Sequence, residues 1–580
     1  MFKAIMLITI IITAPFGVSA AIIHVPADQP TIQAGIDAAV EGDTVLVADG
    51  TYTGDGNRDI DFKGKAITVT SENGPETCII DCQGVTGHRG FYFHTYETEN
   101  AIVQGFSIKN GSPWINHKGG GIYCLESSPT IRDCDISENN TKEGPGIYCL
   151  RSSPTVTNCV ISNNSFSGFH MSAAIAFEDS SLTIANCIIS GKKMSNSYGR
   201  GIYCRNSSLV ISDCSISVNN EGFGEGGIFC VNSSVKMTHC IFSLNKVNVG
   251  GGVNSYESSL DIDNCTFSMN EAWNYAGGVY CYFSSVKIAN SIFSYNKALY
   301  EGGGICCTHS SMDINNCTFL SNEADFGGGV FSHYFSSAAL TNCTFTLNKA
   351  TSQVGGGIYS RDSENLSISN SILWGDYGSE VPIRTYHINI SYSDIQGGFP
   401  GIGNINVDPL FVGGDPFDNH LSPNSPCIDA GTDADVSATD LEGFARQQGG
   451  AVDMGAYEST GWPLETRAYI KMPSHLFRPG DIASCIGSVW NPHEYVLDEY
   501  LFFAVLDIWG TYYCAPSYTE IDYYFLDCNP GLTEIPIMPE FTWPSGVGSA
   551  TGIVWYAALI NPEMTELVSE IGVFDFGWSE

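Results

Sequence analysis

Three groups of residues in this chain have the types and spacing that chemistry asks for. The first is basic: Lys192, Lys193 and Arg200, in a stretch that also carries His170, Glu178 and Asp179. A Lys or Arg base beside calcium-binding acids is the equipment of β-elimination, because the base abstracts a proton while the cation holds the substrate carboxylate. The second is acidic: Asp429, Asp433 and Asp435, then Ser437, Asp440 and Glu442. Oxygen ligands at alternate positions suit calcium, although the glycine at the sixth position of an EF-hand loop is missing. The competing reading is an acidic, solvated turn. The third is aromatic: Tyr123, Tyr148, Tyr203, Phe229, Tyr280, Phe331 and Tyr359 hold one position of a repeat, interrupted by Ala176, Asn254 and Cys306. Flat rings on a solvent-facing strip would stack on sugar rings or dock an apolar partner. The competing reading is that they pack on one another or under a flanking loop. No pair of histidines stands at zinc-ligand spacing.

The elements that must position these groups follow from a repeat. A glycine-rich stretch followed by Ile or Val recurs, with that residue at Ile122, Ile147, Ile175, Ile202, Ile228, Val253, Val279, Ile305, Val330 and Ile358. A fixed short period means a stacked solenoid. Within Leu260–Phe267 the apolar residues alternate, slip by one at Asn264-Cys265, and alternate again. Alternation marks a strand with one buried face, and the slip marks a bend. Each repeat therefore reads as three short strands and three turns, and stacking gives three parallel sheets around a narrow core: a parallel β-helix. Two residues after the Cys column the positions are large and apolar, from Ile136 to Leu373, as an interior column requires. Just before the Cys stand Asp133, Asn158, Asn186, Asp213, His239, Asn264, Asn290, Asn316, Asn342 and Asn370, expected to form a ladder of stacked amides. Tyr123 lies between Ile122 and Cys124, so alternation predicts that the aromatic position faces outward. The basic group falls in the one irregular rung, Ser165–Arg200, where Ala174 replaces the glycine.

Around the repeats the sequence divides as follows. Residues 1–20 read as a signal peptide with cleavage after Ala20, so the chain is expected to be secreted or at the cell surface. No other apolar run approaches the ~20 residues of a membrane span. Residues 21–58 are an N-terminal cap with an amphipathic helix over Thr31–Val40. Residues 59–459 are the β-helix, with regular rungs over about 119–375 and terminal rungs over 376–459. Residues 460–580 lose the repeat and gather aromatics between Pro/Gly turns, which predicts an Ig-like β-sandwich, with Gly461-Trp462-Pro463 as linker. The net charge of −37 excludes a nucleic-acid partner. The 21 cysteines mostly share two columns, one rung of roughly 4.8 Å apart. That is too far for a disulfide, so stacked thiols are expected, with Cys78/Cys82 and Cys514/Cys528 as the better disulfide candidates.

Val25-Pro26-Ala27-Asp28-Gln29-Pro30-Thr31-Ile32-Gln33 and Gly42-Asp43-Thr44-Val45-Leu46-Val47-Ala48-Asp49-Gly50-Thr51-Tyr52 resemble the N-terminal cap of pectin-lyase-like right-handed β-helix proteins, and the resemblance implies the handedness. The Gly-rich Ile/Val and Phe-x-x-Asn signatures (Phe267–Asn270, Phe293–Asn296, Phe319–Asn322, Phe345–Asn348) resemble the repeats of polymorphic outer-membrane adhesins. The run Ser391–Gly397, Asp408–Phe411, Ser425–Gly431 and Asp453–Glu458 resembles the terminal segment of secreted β-helix proteins that precedes surface-anchoring tails. Relatives resembling polygalacturonases carry Asp-Asp, Gly-His-Gly and Arg-Ile-Lys, and this chain has none of the three. The expectation is an exported, non-catalytic protein binding a polysaccharide or a cell-surface protein, with no cofactor except a candidate calcium. The alternative is a polysaccharide lyase or hydrolase acting on uronate-containing glycans through Lys192, Lys193 and Arg200.

Overall fold

The computed structural model describes residues 20–113, 118–166, 173–191, 200–219, 224, 226–380, 383–412, 418–422, 425–434, 436–446, 449–459, 466–471, 476–477, 482–491, 496–508, 511–518, 522–528, 531–544, 550–562, 564–565, 567–570 and 572–578. His170, Lys192, Lys193, Asp435, residues 1–19 of the expected signal peptide and the expected linker lie outside them. The chain divides into two compact units, Met1–Val210 and Ile211–Glu580.

The first unit opens with strand Ile22–Val25 and helix Ile32–Ala38. Thr31 caps the helix, its hydroxyl accepting from the Ala34 amide at 3.2 Å. Ile32 and Ile36 are buried, and a β-carbon on Gly35 would come 2.7 Å from Val45 and 3.0 Å from Val25. The helix thus lies tightly on the first two strands, which only glycine at that position permits. Parallel rungs follow in strict register: Ile147 pairs with Ile122 on one side and with Ile175 on the other.

One rung of the second unit shows how the repeat folds. Ser259–Asp263, Thr266–Ser268 and Val279–Tyr282 are the three expected strands, each paired in parallel with its counterpart one rung on. The inner side chains form columns. Phe242, Phe267, Phe293, Phe319 and Phe345 stack with centroids 4.4–4.9 Å apart and ring planes within 8°. The glycine run makes the sharp turn into Val279–Tyr282 and its equivalents. Gly302 sits at φ +69, and a β-carbon on Gly303 would come 2.3 Å from the Gly328 carbonyl of the next rung.

Three features depart from the sequence reading. A fourth strand, such as Glu271–Tyr275, precedes the glycine turn, giving a six-stranded sheet from Lys246–Val249 to Tyr377–Ser379. The column before the Cys is a row of left-handed corners, with Asn264, Asn290 and Asn316 at φ 48–51, linked side chain to side chain only in places. The continuous buried amide ladder runs instead through the last residue of Phe-x-x-Asn. Asn245, Asn270, Asn296, Asn322 and Asn348 each accept, through Oδ1, from the backbone N–H and the Nδ2 of the preceding ladder residue at 2.8–3.2 Å. Finally, no disulfide joins any of the 21 cysteines. Cys78 and Cys82 bracket the extended strand Cys78–Asp81, roughly 13 Å apart at strand rise, beyond bridging range. Cys514 and Cys528 register on Val505 and Leu497 of one strand, too far apart along it to meet.

The terminal segment folds back along the rungs of the second unit. The Asn316 amide donates to Ser437 Oγ and the Thr439 carbonyl, and the Arg446 guanidinium, buried, reaches Asn316 Oδ1 at 2.8 Å. Beyond it two largely antiparallel sheets, with Ile482–Asn491 and Leu497–Ile508 as long strands, enclose a core around Phe502 and a fully buried Trp555, as expected of a β-sandwich.

Candidate functional site

The aromatic position that alternation turned outward is not a solvent-facing strip. Tyr123, Tyr148, Tyr203, Phe331 and Tyr359 are buried, and Phe229 and Tyr280 are half-buried. Alternation gave the side of the strand correctly, but that side carries a second layer. In several rungs the first glycine of the turn lies against the β-carbon of the aromatic position: a β-carbon on Gly119 would sit 2.6 Å from that of Tyr123, and one on Gly355 2.5 Å from that of Tyr359. The fourth-sheet residues Phe326 and Val354 then close over Phe331 and Tyr359. In the first unit cations do the covering. The Arg89 guanidinium lies 4.8 Å over Tyr92 and 5.0 Å over Tyr123, and Lys118 Nζ lies 4.4 Å over the Tyr148 ring. Lys118 also donates to the Tyr148 phenol at 2.6 Å, and that phenol donates to Glu178 at 3.0 Å. Burial first, then the charge of Glu178, raises the Tyr148 pKa far above the ordinary phenol value. These groups answer one another.

The other expected groups come out as follows. Arg200 is buried in strand Arg200–Arg205, over the Tyr203 ring at 5.7 Å, and is not an exposed base. The acidic loop engages its own backbone. Asp429 accepts from the Gly450 and Ala451 amides, Asp433 from Val452, and Asp440 from Glu442, Phe444 and Glu458. Among the described residues no group of three or more His, Cys, Asp or Glu is arranged to hold a metal ion.

An aromatic strip does reach solvent, three to five positions after the repeat's Ile/Val, where the chain turns out of Val279–Tyr282 and its equivalents. Tyr256 stacks on Tyr282 at 5.1 Å, Tyr282 meets Phe283 edge-on at 4.6 Å, and Phe283 lies parallel to His309 at 4.7 Å. His309 is in turn 5.7 Å from Tyr334 and 6.0 Å from Phe335. Phe283 is 50% exposed and Phe335 61%. Beneath them His333 is buried against Tyr334, and burial, then Arg361, holds its imidazole down to about 4, so it is neutral.

What sets the strip apart is which residues occupy this one corner. Phe283, His309, Tyr334 and Phe335 all have left-handed φ, between 43° and 53°. The same corner in other rungs carries Glu126, Arg151, Asp179, Asn206, Asn232 and Glu257, mostly polar residues that bond locally. A bulky side chain there costs of order 1 kcal/mol or more, and an exposed ring recovers little of it by burial. The rung at Val330 even has an extra corner residue, Tyr334 and Phe335 both being left-handed. On the same face Tyr275 stacks on Tyr280 at 5.8 Å, so the aromatic surface continues across the strand to Tyr300. Hydrophobic periodicity passes over this strip because corner residues belong to no strand face. The signal that could have found it is substitution of aromatics at a corner that other rungs fill with polar or charged residues.

No curated protein matches the chain. Among solved structures the Siphovirus 9NA tailspike receptor binding domain aligns over 96% of this chain and 98% of its own, at 10% identity and a TM-score of 0.27. The family described as right handed beta helix region matches residues 43–194 and 246–395, the stretches that carry the stacked rungs. These make up more than half of the chain, and the protein belongs to that right-handed β-helix family.

Proposed function

We propose that this chain is an exported, non-catalytic β-helix protein that binds a polysaccharide along the strip Tyr256, Tyr282, Phe283, His309, Tyr334 and Phe335. One observation carries the reading: the rings of Phe283, Tyr334 and Phe335 stand exposed in a backbone conformation that disfavours them, at a corner that other rungs fill with polar or charged residues. The rings follow the rungs, repeating at roughly 4.8 Å, a step comparable with one residue of an extended glycan. Ring edges and the terminal ring faces offer apolar contact to sugar C–H groups, and the tyrosine hydroxyls offer hydrogen bonds. Export is supported by the N-terminal sequence alone, and fractionation of the native host would test it.

The binding test uses Phe283→Asn/Phe335→Asn, since asparagine is what Asn206 and Asn232 supply at the same corner. The double variant should melt at or above the wild-type temperature, because two strained rings are gone. Retardation in polysaccharide affinity gels should weaken about tenfold or more, at ~0.5–1.5 kcal/mol per ring. Equal retardation of both proteins on every polysaccharide, uronate-containing ones included, would reject the reading. Release of unsaturated uronate by wild type would favour a lyase instead.

A further inference from the structure

The amide ladder of the second unit ends in two acids. Asn348 donates its backbone N–H at 2.6 Å and its Nδ2 at 3.0 Å to Asp376 Oδ1, so Asp376 takes the place the next asparagine would hold. The Asp376 N–H in turn donates to Glu380 Oε1 at 3.2 Å. Glu380 thereby reaches back to act as the missing next rung. In the four preceding rungs the second side-chain atom of the ladder residue is an N–H donor: the Nδ2 of Asn270, Asn296, Asn322 and Asn348 bonds the carbonyls of Phe242, Phe267, Phe293 and Phe319. By that repeat, Asp376 Oδ2 is expected to face the Phe345 carbonyl, another acceptor. Asp376 Oδ2 and Glu380 Oε2 are both buried with no hydrogen-bond partner, in residues 8% and 6% exposed. Both converge over Gly357, where a β-carbon would lie 2.5 Å from the first and 3.3 Å from the second. Two ionised carboxylates so placed would repel each other with no solvent between them.

We propose that Asp376 and Glu380 share one proton, which supplies the donor the ladder lacks, and that this pair is a pH-dependent lock on the last rung of the ladder. Among the described residues, the groups facing it are Asn348 from the preceding rung and the Gly356–Gly357 turn before Ile358–Arg361. Those shifting its ionisation are Asn348 and the two carboxyls themselves, with no Lys, Arg or His among them. Burial raises both carboxyls above their ordinary values of 3.8 and 4.5, and for Glu380 the Asp376 charge adds to it. A raised folded-state value means the folded chain holds a proton that the unfolded chain releases. The lock's contribution is therefore whole below the ordinary carboxylate range and is lost as pH rises through the raised values.

The test compares full-length wild type, Asp376→Asn and Glu380→Gln, both variants supplying amide hydrogens in place of the proton. Melting temperature is followed from about pH 4 to about pH 9, with the protonated-carboxyl infrared band recorded at neutral pH. Wild type should lose several degrees toward alkaline pH. The variants should lose less, match or exceed wild type at the alkaline end, and lack the band. Variants that melt in parallel with wild type at all pH values, or an unchanged band, would overturn the proposal. So would restoration of alkaline stability by added calcium, which would make the site a cation site. Should one variant fail to fold, the other decides.

Discussion

A single carboxylate shows how residue chemistry and fold meet in the first unit. Glu97 is buried, yet it accepts from the Gly64 and Thr95 amides at 2.9 Å and from the Ser127 hydroxyl at 2.8 Å. Burial works against its charge, but the Thr95, Gly64 and Ser127 hydrogen bonds outweigh it, and its pKa lies below the ordinary 4.5. A depressed value contributes stability that is present above the ordinary value and lost as pH falls through the folded one. Glu97→Gln should therefore cost about 1.5–3 kcal/mol at neutral pH, and the cost should shrink in acid. Denaturant melts of both proteins at neutral and acidic pH check this; a constant difference would contradict it. The sign is opposite to that of Asp376 and Glu380. Both sites are buried carboxyls, and what separates them is whether donors or another acid surround the oxygens.

At the scale of the element, the rung was largely legible. The Ile/Val period, the alternation Leu260, Ile262 and the slip at Asn264-Cys265 located three strands, because a buried column tolerates only apolar side chains of one size class. The fourth strand was not legible. Glu271–Tyr275 reads Glu-Ala-Trp-Asn-Tyr, and only Ala272 of it is buried. An exposed strand paired edge to edge leaves almost no hydrophobic signature, since backbone bonds hold it. That unseen strand also explains the aromatic error: parity placed Phe331 and Tyr359 on the outer side, and no periodicity says whether an outer side is covered. The amide ladder was expected one column away, because Asn before Cys and Asn in Phe-x-x-Asn are equally regular in sequence and differ only in φ and burial. The glycine turn under the fourth strand gives the sharpest test of this packing. Gly303→Ala pushes a β-carbon to 2.3 Å from the Gly328 carbonyl and 2.6 Å from the Glu323 amide, both backbone. It should cost at least about 2 kcal/mol, read as a lower denaturant midpoint. A neutral substitution would mean the turns are not in backbone contact.

Over the whole chain, acid and thiol are the dominant compositional facts. The charge of −37 disfavours close approach to other polyanions, so binding of neutral polysaccharides should be less sensitive to salt than binding of uronate polymers. Among the described residues no helix is long and apolar enough to cross a membrane. No disulfide joins any of the 21 cysteines, and burial pushes thiols such as Cys78, Cys82 and Cys528 up to about 12. Protein denatured without reductant should react with a thiol reagent at all 21 positions, while the native protein reacts far more slowly. A shortfall in the denatured count would reveal a disulfide.

The thiol columns set a race during synthesis. In folded rungs Cys159 and Cys317 are buried thiols, their pKa raised, donating to the Thr157 and Asn315 carbonyls, and oxidants attack the thiolate. Before a rung closes, the same sulfurs are exposed and lie about one repeat apart along a flexible chain, near enough to cross-link wrongly. Because each rung needs only its neighbour, folding can propagate rung by rung and withdraw thiols in step. Oxidation of a chain caught half-coiled would be a trap without a native disulfide to guide its escape. Recovery after unfolding should then be set by the reductant present rather than by the stability of the coil.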